Sequence, residues 1–464
     1  MRAQFAYVAN LDDSTISGYT INPATGALIP IAGSPFALGG LGNPAFVAVD
    51  PSSKFAYVAN AGPGTVSGYT INPATGALTP IAGSPFAAGA GPQTVALDPS
   101  GRFAYAANAG SVTTSGYTIN PATGALTPIA GSPFAGADSG SVAVDPSGKF
   151  AYVAKFDAPG AVLGSTINPA TGALTAIAGS PFAAESFPHF VAVDPSGKFA
   201  YVANFTIPGT VSGYTINPAT GALTAIAGSP FAAGSSPVFV AVDPSGKFAY
   251  VVNLNGNNVS GYRIDPTTGA LTAIAGSPFV TGRSPRSVAV DPSGKFAYVA
   301  NQVDRTVSGY TIDPVNGAFT VIASSPFATG AAPWSVAITP LVPFASSFAK
   351  LEIAKHRFDL KESFTLGANS NGINPLTENV TLQIGTFSVT IPAGAFKQIP
   401  HGRFAFEGLI NGVSLQVQIV PLGNNIFTFK AEGTGAGFTG LTNPVTVVLT
   451  IGINTGTTTA VAQF

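Results

Sequence analysis

Four side chains of the sequence are of the types that carry out proton transfer, and they lie within 35 residues of one another: Lys155, Asp157, Glu185 and His189. A carboxylate and an imidazole brought together can act as general acid and base. Glu185 and His189 are the only Glu and the only His before residue 340. We therefore take these four residues as catalytic candidates. The alternative interpretation is that they are ordinary solvated charges of surface loops.

A second group consists of residue types that bind ligands, namely Arg283, Arg286, Arg305 and Trp334. Guanidinium groups bind carboxylates and phosphates through paired hydrogen bonds. Trp334 is the only Trp, and an exposed indole provides a flat surface for a sugar ring. The alternatives are surface ion pairing of the arginines, for example with Asp304, and packing of Trp334 at a seam of the fold.

Composition narrows the classes of function. The chain has no Cys and only three His, and it contains no P-loop, HExxH, EF-hand or Gly-x-Ser-x-Gly motif, so we predict neither a metal site nor a cofactor. Lys and Arg total 19 against 20 Asp and Glu, which leaves no basic surface for nucleic acid. No apolar run approaches the roughly 18 residues of a membrane-spanning helix.

An internal repeat must position these candidate residues. A FAYVAN-like segment begins at Phe5, Phe55, Phe103, Phe150, Phe199, Phe248 and Phe296. A period of roughly 48 residues is typical of propellers and solenoids. Each unit also contains a Val-Ala-Val-Asp segment, a β-branched Thr-Val-Ser-Gly-Tyr-Thr-Ile segment and a fourth segment whose Pro only an edge strand tolerates. Four antiparallel strands of this kind describe a propeller blade.

The two ends of the repeat array predict that it closes into a ring. The chain begins at the second strand of a unit, and a first strand without a unit of its own appears at Trp334–Pro340. Pairing of Ser335–Thr339 with Gln4–Asn10 would complete one blade from both ends and remove the open edge. We therefore predict an all-β fold in which residues 1–344 form a seven-bladed β-propeller, closed by the N-terminal strands plus a C-terminal strand.

The remaining residues, 345–464, lack the repeat and predict a second domain. About eight short alternating segments between Leu351 and Ile451, with an Asn411-Gly412 turn, indicate an antiparallel, Ig-like β-sandwich. The uncharged segment Val445–Ile451 could pair with another chain if it lies at an edge. We therefore expect a homo-oligomer or polymer formed through this domain.

The copies of the repeat also indicate which face of the ring binds ligands. The Asp-Pro-Ser-Gly and Asn-Pro-Ala-Thr-Gly turns barely vary, and both must lie on one face. The other connections vary and must lie on the opposite face. Because binding residues concentrate in variable loops on a rigid scaffold, we expect the site at the channel mouth on the variable face.

The unit VAVDPSGKFAYVAN…TVSGYTINPATGALT resembles the YVTN-type repeat of the lactonase-like seven-bladed propellers, a group with 6-phosphogluconolactonases and related surface-layer and secreted bacterial proteins. The resemblance covers residues 1 to about 340 and implies the propeller fold. In its lactonase members the innermost strand often begins Gly-Pro-Arg-His. The corresponding triplets here are Pro44-Ala45-Phe46, Pro92-Gln93-Thr94, Ser139-Gly140-Ser141, Pro188-His189-Phe190, Pro237-Val238-Phe239, Pro285-Arg286-Ser287 and Pro333-Trp334-Ser335. Arg286 occupies the position of the family Arg without a following His, and His189 occupies the Arg position of another copy. Residues 345–464 resemble a β-rich terminal domain of bacterial secreted proteins.

Three functions are consistent with these observations. Low charge, near-identical repeats and the lack of a convergent group of titratable side chains favour a non-enzymatic bacterial protein of the cell surface or extracellular space. Its propeller would bind a glycan or another surface ligand, and its terminal domain would serve attachment or self-assembly. The first alternative is a lactonase-like hydrolase with Glu185 or His189 as base and Arg286 binding an anionic substrate. The second is a carbohydrate-binding propeller that uses Trp334. No leader peptide is visible before the first strand motif.

Overall fold

The computed structural model describes residues 4–38, 42–136, 140–340, 342–354, 357–366, 373–385, 387–400, 402–423, 425–435, 445–451, 454–460 and 462. These residues form strands, turns and loops, without a helix among them. Residues 4–340 make one compact unit, and the residues that follow belong to a second. No helix in the described part of the chain is long and apolar enough to span a membrane.

The first unit is a ring of seven blades, which confirms the predicted propeller. Blade 1 consists of β1 (Gln4–Asn10), β2 (Thr15–Ile21), β3 (Leu28–Pro30), β4 (Phe36–Ala37) and the distant β35 (Pro333–Ile338). Blades 2 to 4 consist of β5 (Pro44–Val49), β6 (Phe55–Asn60), β7 (Thr65–Ile71), β8 (Leu78–Pro80), β9 (Phe86–Ala87); β10 (Pro92–Leu97), β11 (Phe103–Asn108), β12 (Thr113–Ile119), β13 (Leu126–Pro128), β14 (Phe134–Ala135); and β15 (Ser141–Val144), β16 (Phe150–Lys155), β17 (Ala161–Ile167), β18 (Leu174–Ala176), β19 (Phe182–Ala183). Blades 5 to 7 consist of β20 (Pro188–Val193), β21 (Phe199–Asn204), β22 (Thr210–Ile216), β23 (Leu223–Ala225), β24 (Phe231–Ala232); β25 (Pro237–Val242), β26 (Phe248–Asn253), β27 (Asn258–Ile264), β28 (Leu271–Ala273), β29 (Phe279–Val280); and β30 (Pro285–Val290), β31 (Phe296–Asn301), β32 (Thr306–Ile312), β33 (Phe319–Val321), β34 (Phe327–Ala328).

Within a blade, the strands follow one another outwards from the ring centre, and the outermost strand is split. In blade 2 the order is β5-β6-β7-β8, and β9 also pairs with β7. Pro80 ends β8 on this outer edge, where a missing N–H costs no ladder hydrogen bond. Between β8 and β9 the chain leaves the sheet, and the Ser84 hydroxyl accepts the N–H of Gly68 at 2.9 Å. The side chain therefore satisfies the donor that the interrupted strand leaves unpaired.

Ring closure occurs as the phase of the repeat predicts. Strand β35 pairs antiparallel with β1, so that Tyr7 lies opposite Ala337 and Val8 lies opposite Val336. Thr339 occupies the place of the Asp that ends this strand in the other six copies, and its Oγ1 accepts the N–H of Phe5 at 3.0 Å. The corresponding contact in blade 2 is made by Asp50. The seam between the two ends of the ring is therefore built like every other blade.

Buried tyrosines join each blade to the next around the whole ring. The hydroxyl of the Tyr in FAYVAN donates to the carbonyl of the turn Gly in the following blade, with O–O distances of 2.6–2.8 Å. The pairs are Tyr7–Gly76, Tyr57–Gly124, Tyr105–Gly172, Tyr152–Gly221, Tyr201–Gly269, Tyr250–Gly317 and, across the seam, Tyr298–Gly26. These bonds satisfy phenol groups that the blade interfaces bury.

The second unit is a single path of ten strands folded over one core. The strands are β36 (Val342–Ala354), β37 (Arg357–Leu366), β38 (Val380–Ile384), β39 (Phe387–Ile391), β40 (Lys397–Ile399), β41 (Arg403–Ile410), β42 (Val413–Gly423), β43 (Ile426–Thr434), β44 (Val445–Ile451) and β45 (Asn454–Ala460). Their order is β39-β38-β44-β45-β36-β37-β43-β42-β41-β40. Phe358 of β37 contacts Phe387 of β39 with ring centroids 5.7 Å apart, although the two strands are far apart in this order. The two halves therefore pack face to face, which confirms the predicted sandwich.

The structure of the second domain adds two details to the sequence prediction. The segment Val445–Ile451 is not an edge, because β44 pairs with β38 on one side and with β45 on the other. It therefore has no free ladder for another chain; a homo-oligomer or polymer formed through this domain stays a prediction. Strands β40 and β45 were not predicted, because Lys-Gln-Ile and Asn-Thr-Gly-Thr-Thr-Thr-Ala lack apolar alternation. They pair with neighbours whose own patterns are strong.

Candidate ligand site at the channel mouth

In six of the seven blades, a β-bulge at the start of the innermost strand turns one side chain out of the ladder. In blade 5, Pro188 pairs with Asn204 and Phe190 pairs with Ala203, which leaves His189 without a partner. The same irregularity occurs in the innermost strands of blades 2, 3, 6 and 7, and in the pairing of β35 with β1. A bulge redirects the side chain of its extra residue. These six blades therefore turn one residue each towards the centre of the ring, and in blade 4, whose pairing shows no bulge, Gly140 lies just before the innermost strand.

These residues line one cavity of about 190 Å³, which we call the channel-mouth cavity. In blade order from 1 to 7 they are Trp334, Ala45, Gln93, Gly140, His189, Val238 and Arg286. Seven copies of a nearly invariant unit thus carry seven different residues here. Ala109 and Phe156, in the loops after β11 and β16, also line the cavity and place it on the variable-loop face. The cavity thus lies on the variable-loop face and takes the middle residue of each triplet, while Ser139 of the blade 4 triplet lies outside the described residues.

The next residue of each innermost strand either joins neighbouring blades through its hydroxyl or presents an aromatic ring to the cavity. In blades 3, 4, 7 and 1 it is Thr94, Ser141, Ser287 or Ser335, whose hydroxyl accepts a backbone N–H of a neighbouring blade at 2.9–3.0 Å. In blades 2, 5 and 6 it is Phe46, Phe190 or Phe239. The rings of Phe190 and Phe239 have centroids 3.9 Å apart, and Phe46 lies 6.2 and 6.5 Å from them. Three aromatic rings from blades 2, 5 and 6 therefore meet in the lining of the cavity.

His189 is held as a neutral imidazole. Its Nδ1 lies 2.8 Å from the carbonyl oxygen of Val238. Because a carbonyl only accepts, Nδ1 carries the proton and Nε2 carries the lone pair. Burial lowers the pKa of His189 to about 4; the positive charge of Arg286 acts in the same direction, and the hydrogen bond to Val238 opposes both. At neutral pH the ring can therefore accept a proton at Nε2.

Arg286 is held as an oriented cation. Its guanidinium carbon lies 3.9 Å from the ring centroid of Trp334, and its Nε donates to the Gln302 side-chain oxygen at 2.7 Å. Burial lowers the pKa of Arg286 to about 10, so the group remains charged at neutral pH. Stacking and one hydrogen bond fix the plane of the guanidinium, while its other N–H groups remain available as donors. The stack also covers one face of the indole that was expected to bind sugar.

The structure separates His189 from the other three catalytic candidates. Lys155 and Asp157 form an ion pair of 3.0 Å, which lowers the pKa of the Asp157 carboxyl mainly through the hydrogen bond from the lysine. Glu185 is exposed in the connection between blades 4 and 5. None of these three lines the cavity. The aromatic rings of Phe156 and Phe205, with centroids 5.8 and 6.2 Å from that of His189, surround it instead.

The ligand-binding candidates are likewise separated, because some lie on the surface and others line the cavity. Arg283 pairs with Asp304 at 2.6 Å on the surface, as the alternative interpretation expected. Arg305 is exposed in a turn with φ of 55°. Of the ligand-binding candidates, Arg286 and Trp334 reach the cavity. Sequence reasoning missed Gln302 as the partner of Arg286, because a single loop Gln carries no signal of its contacts.

The sequence indicated no metal site, and the described residues contain no cluster of His, Asp or Glu with the geometry to hold a metal ion. His356 and His401 lie outside the described residues.

Comparison with known proteins places the propeller among lactonase-type folds. Residues 2–142, 127–241 and 232–336 match the family model described as lactonase, seven-bladed β-propeller. Similar structures include a proposed 6-phosphogluconolactonase from Bacteroides uniformis, with 21% identity, TM-score 0.63, and coverage of 73% of this chain and 100% of that one. A second is the periplasmic gluconolactonase of Pseudomonas aeruginosa, with 21% identity, TM-score 0.60, and coverage of 72% and 99%. At these identities the likeness shows a shared fold. No curated protein sequence matches the chain.

Proposed function

Since the chain belongs to the lactonase family of seven-bladed β-propellers, we propose that it hydrolyses the ester bond of a lactone in the channel-mouth cavity. The observation that carries this proposal is that a neutral His189 and a cationic Arg286 line the same cavity. The similar structures named as gluconolactonases support the same class of reaction. This hydrolase was the alternative at the level of sequence, and it is now better supported than the non-enzymatic interpretation.

In this proposal each group has one role. Nε2 of His189 accepts a proton from a water molecule as the water oxygen attacks the lactone carbonyl. N–H groups of Arg286 donate to the carbonyl oxygen, which gains negative charge in the tetrahedral intermediate. When the intermediate collapses, the ring C–O bond breaks and the leaving alkoxide takes the proton back from His189. The product is a hydroxy acid, and once its carboxyl group has released its proton to solvent, the carboxylate faces Arg286.

His189 is the one candidate base that the cavity offers. Among the described lining residues there is no Asp or Glu, and Arg286 stays protonated. Glu185, the other base that the sequence suggested, is exposed outside this lining. A base must come within hydrogen-bond reach of the proton that it removes, directly or through one water. The proposal therefore depends on His189 and not on Glu185.

The test is hydrolysis of a panel of six-membered lactones, namely δ-valerolactone, glucono-δ-lactone and δ-nonalactone, at pH 6. The variants are His189→Gln, Arg286→Gln and the control Glu185→Gln. Gln already occupies this position in blade 3 as Gln93, so the fold accommodates it. We expect a loss of about 10²–10⁴-fold for His189→Gln and of about 10²-fold for Arg286→Gln. Glu185→Gln should retain the full rate.

Two outcomes would contradict the proposal. The first is that the unchanged protein hydrolyses none of the three lactones faster than buffer alone. The second is that His189→Gln keeps the full rate, which would remove the base from the mechanism.

A further inference from the structure

The lining of the channel-mouth cavity indicates the chemical class of its substrate, and this inference rests on the proposed function. We infer that the site takes a lactone with an apolar alkyl substituent rather than a polyhydroxylated or phosphorylated sugar lactone. The argument depends on which surfaces of the cavity are apolar, on how many polar groups remain free, and on the difference between the blades.

Most of the cavity wall is apolar. Phe46, Phe190 and Phe239 form one stacked group, and Phe156, Val238 and Ala45 extend the apolar surface. An alkyl chain placed against this wall leaves water, and each buried methylene strengthens binding by roughly fourfold. A sugar hydroxyl in the same place loses its hydrogen bonds to water and finds no partner.

The polar groups of the lining are few and partly engaged. They are the side chains of Gln93, Thr94, His189 and Arg286 and the indole N–H of Trp334. Thr94 Oγ1 already accepts the N–H of Val142, His189 Nδ1 donates to Val238, and Arg286 Nε donates to Gln302. His189 Nε2, the remaining N–H groups of Arg286, the Gln93 amide and the single indole N–H of Trp334 match one ester group and one water molecule. They leave no set of groups for a ring of hydroxyls, and one guanidinium is a weak counterpart for a phosphate dianion.

The differences between blades show that the propeller fold does not require these aromatic rings. At the same position, Ser141, Ser287 and Ser335 bind a neighbouring blade through a hydroxyl hydrogen bond. A Phe in blades 2, 5 and 6 cannot make this bond. Blades 5 and 6 thus have Phe190 and Phe239 at the position where a Ser joins two blades elsewhere in the ring. The centroids of these two rings are 3.9 Å apart. The rings contribute to the lining of the cavity instead.

The test measures binding separately from turnover. Trp334 lies in the cavity and is the only Trp, so its fluorescence reports ligand binding. His189→Gln serves as the receptor, because it should bind lactones without hydrolysing them. Glucono-δ-lactone and δ-nonalactone share the six-membered lactone ring and differ in their substituents. We expect δ-nonalactone to bind at least tenfold more tightly, because two or more methylenes contact the aromatic wall.

A matched variant gives blade 6 the residue type that blade 7 has at the equivalent position. Phe239→Ser, made in the same His189→Gln receptor, introduces the residue that Ser287 provides at this position, so the strand accommodates it. We expect it to weaken δ-nonalactone binding about tenfold and to leave the binding of δ-valerolactone, which has no substituent, within about twofold.

The outcomes separate the inference from the proposed function. If δ-nonalactone is preferred in binding but no lactone is hydrolysed, the substrate class stands and the hydrolase proposal fails. If glucono-δ-lactone binds at least as tightly and is hydrolysed, the hydrolase proposal stands and the substrate class is wrong. Failure of δ-nonalactone to bind at all would also overturn the class.

Discussion

Gly26 tests whether the two ends of the propeller close into a continuous ring. It lies in the Asn-Pro-Ala-Thr-Gly turn of blade 1 with φ of 72°, and a Cβ there would overlap side-chain atoms of Phe296 and Ile322 in blade 7. Gly124 lies in the equivalent turn of blade 3 and faces blade 2, where a Cβ would lie 2.5 Å from a side-chain atom of Phe55. Gly294 also has positive φ, at 71°, but a Cβ would meet nothing within 4 Å. The three glycines therefore differ in contact and not in backbone conformation.

The magnitudes follow from these contacts. Each Gly→Ala substitution forces an L-residue into the left-handed region, which costs about 1–2 kcal/mol. At Gly26 and Gly124 the added methyl group must also displace a packed aromatic ring, which costs about 1–3 kcal/mol more. We therefore expect Gly294→Ala to lower the free energy of unfolding by about 1–2 kcal/mol. Gly26→Ala and Gly124→Ala should each lower it by about 2–5 kcal/mol.

The assay is urea denaturation of the full chain, followed by circular dichroism and by the fluorescence of Trp334. Trp334 belongs to β35, the closing strand, so its emission reports the seam directly. A common denaturant slope converts differences in midpoint into differences in free energy. If Gly26→Ala costs no more than Gly294→Ala while Gly124→Ala costs more, blades 7 and 1 are not in contact and the closed ring is refuted. If all three cost the same, the overlap with Phe does not control stability.

Two further predictions concern titration. The neutral imidazole of His189 is the proposed base, so kcat/KM should stay level from pH 7 to about pH 5 and fall through a pKa near 4 as His189 gains a proton. The measurement is a pH-rate profile with the lactone that is hydrolysed fastest. A midpoint near pH 6.5 would contradict the argument that burial lowers the pKa of His189. In the second domain, Glu362 is buried with both carboxylate oxygens unpaired in the described structure, and burial raises its pKa to about 8. A raised carboxyl pKa means that the folded state holds the proton more tightly, so stability is greatest below the unfolded pKa and declines as pH rises towards 8. Glu362→Gln should therefore raise Tm at pH 8, by an amount corresponding to about 4 kcal/mol, and change it little at pH 4. The exposed Glu407→Gln should have no effect at either pH in scanning calorimetry. Equal Tm values for Glu362→Gln and the unchanged protein at pH 8 would show that the carboxyl is not buried in solution.

The sequence alone determined the blades, their number and the closure of the ring. Turn residues, alternation and an edge Pro act within a few residues of one another, so each unit specifies its own four strands. The unmatched strand at Trp334–Pro340 then has one possible partner, the unmatched segment that begins at Gln4. The set of triplets at the innermost strands was also visible, because seven copies of one unit can be compared position by position.

Only the tertiary structure decided which candidate residues meet. Lys155, Asp157, Glu185 and His189 are near one another in sequence, but a bulge turns His189 to the ring centre while Glu185 stays exposed. The cavity takes one residue from each of seven blades, so its composition depends on contacts between residues roughly 48 or more positions apart. The position of β44 inside the sheet likewise depends on the order of the strands, which the residue pattern of a single strand does not reveal. Hydrogen bonding and alternation within a unit are local and can be inferred from sequence, whereas the side chains that converge on a site are set by non-local packing.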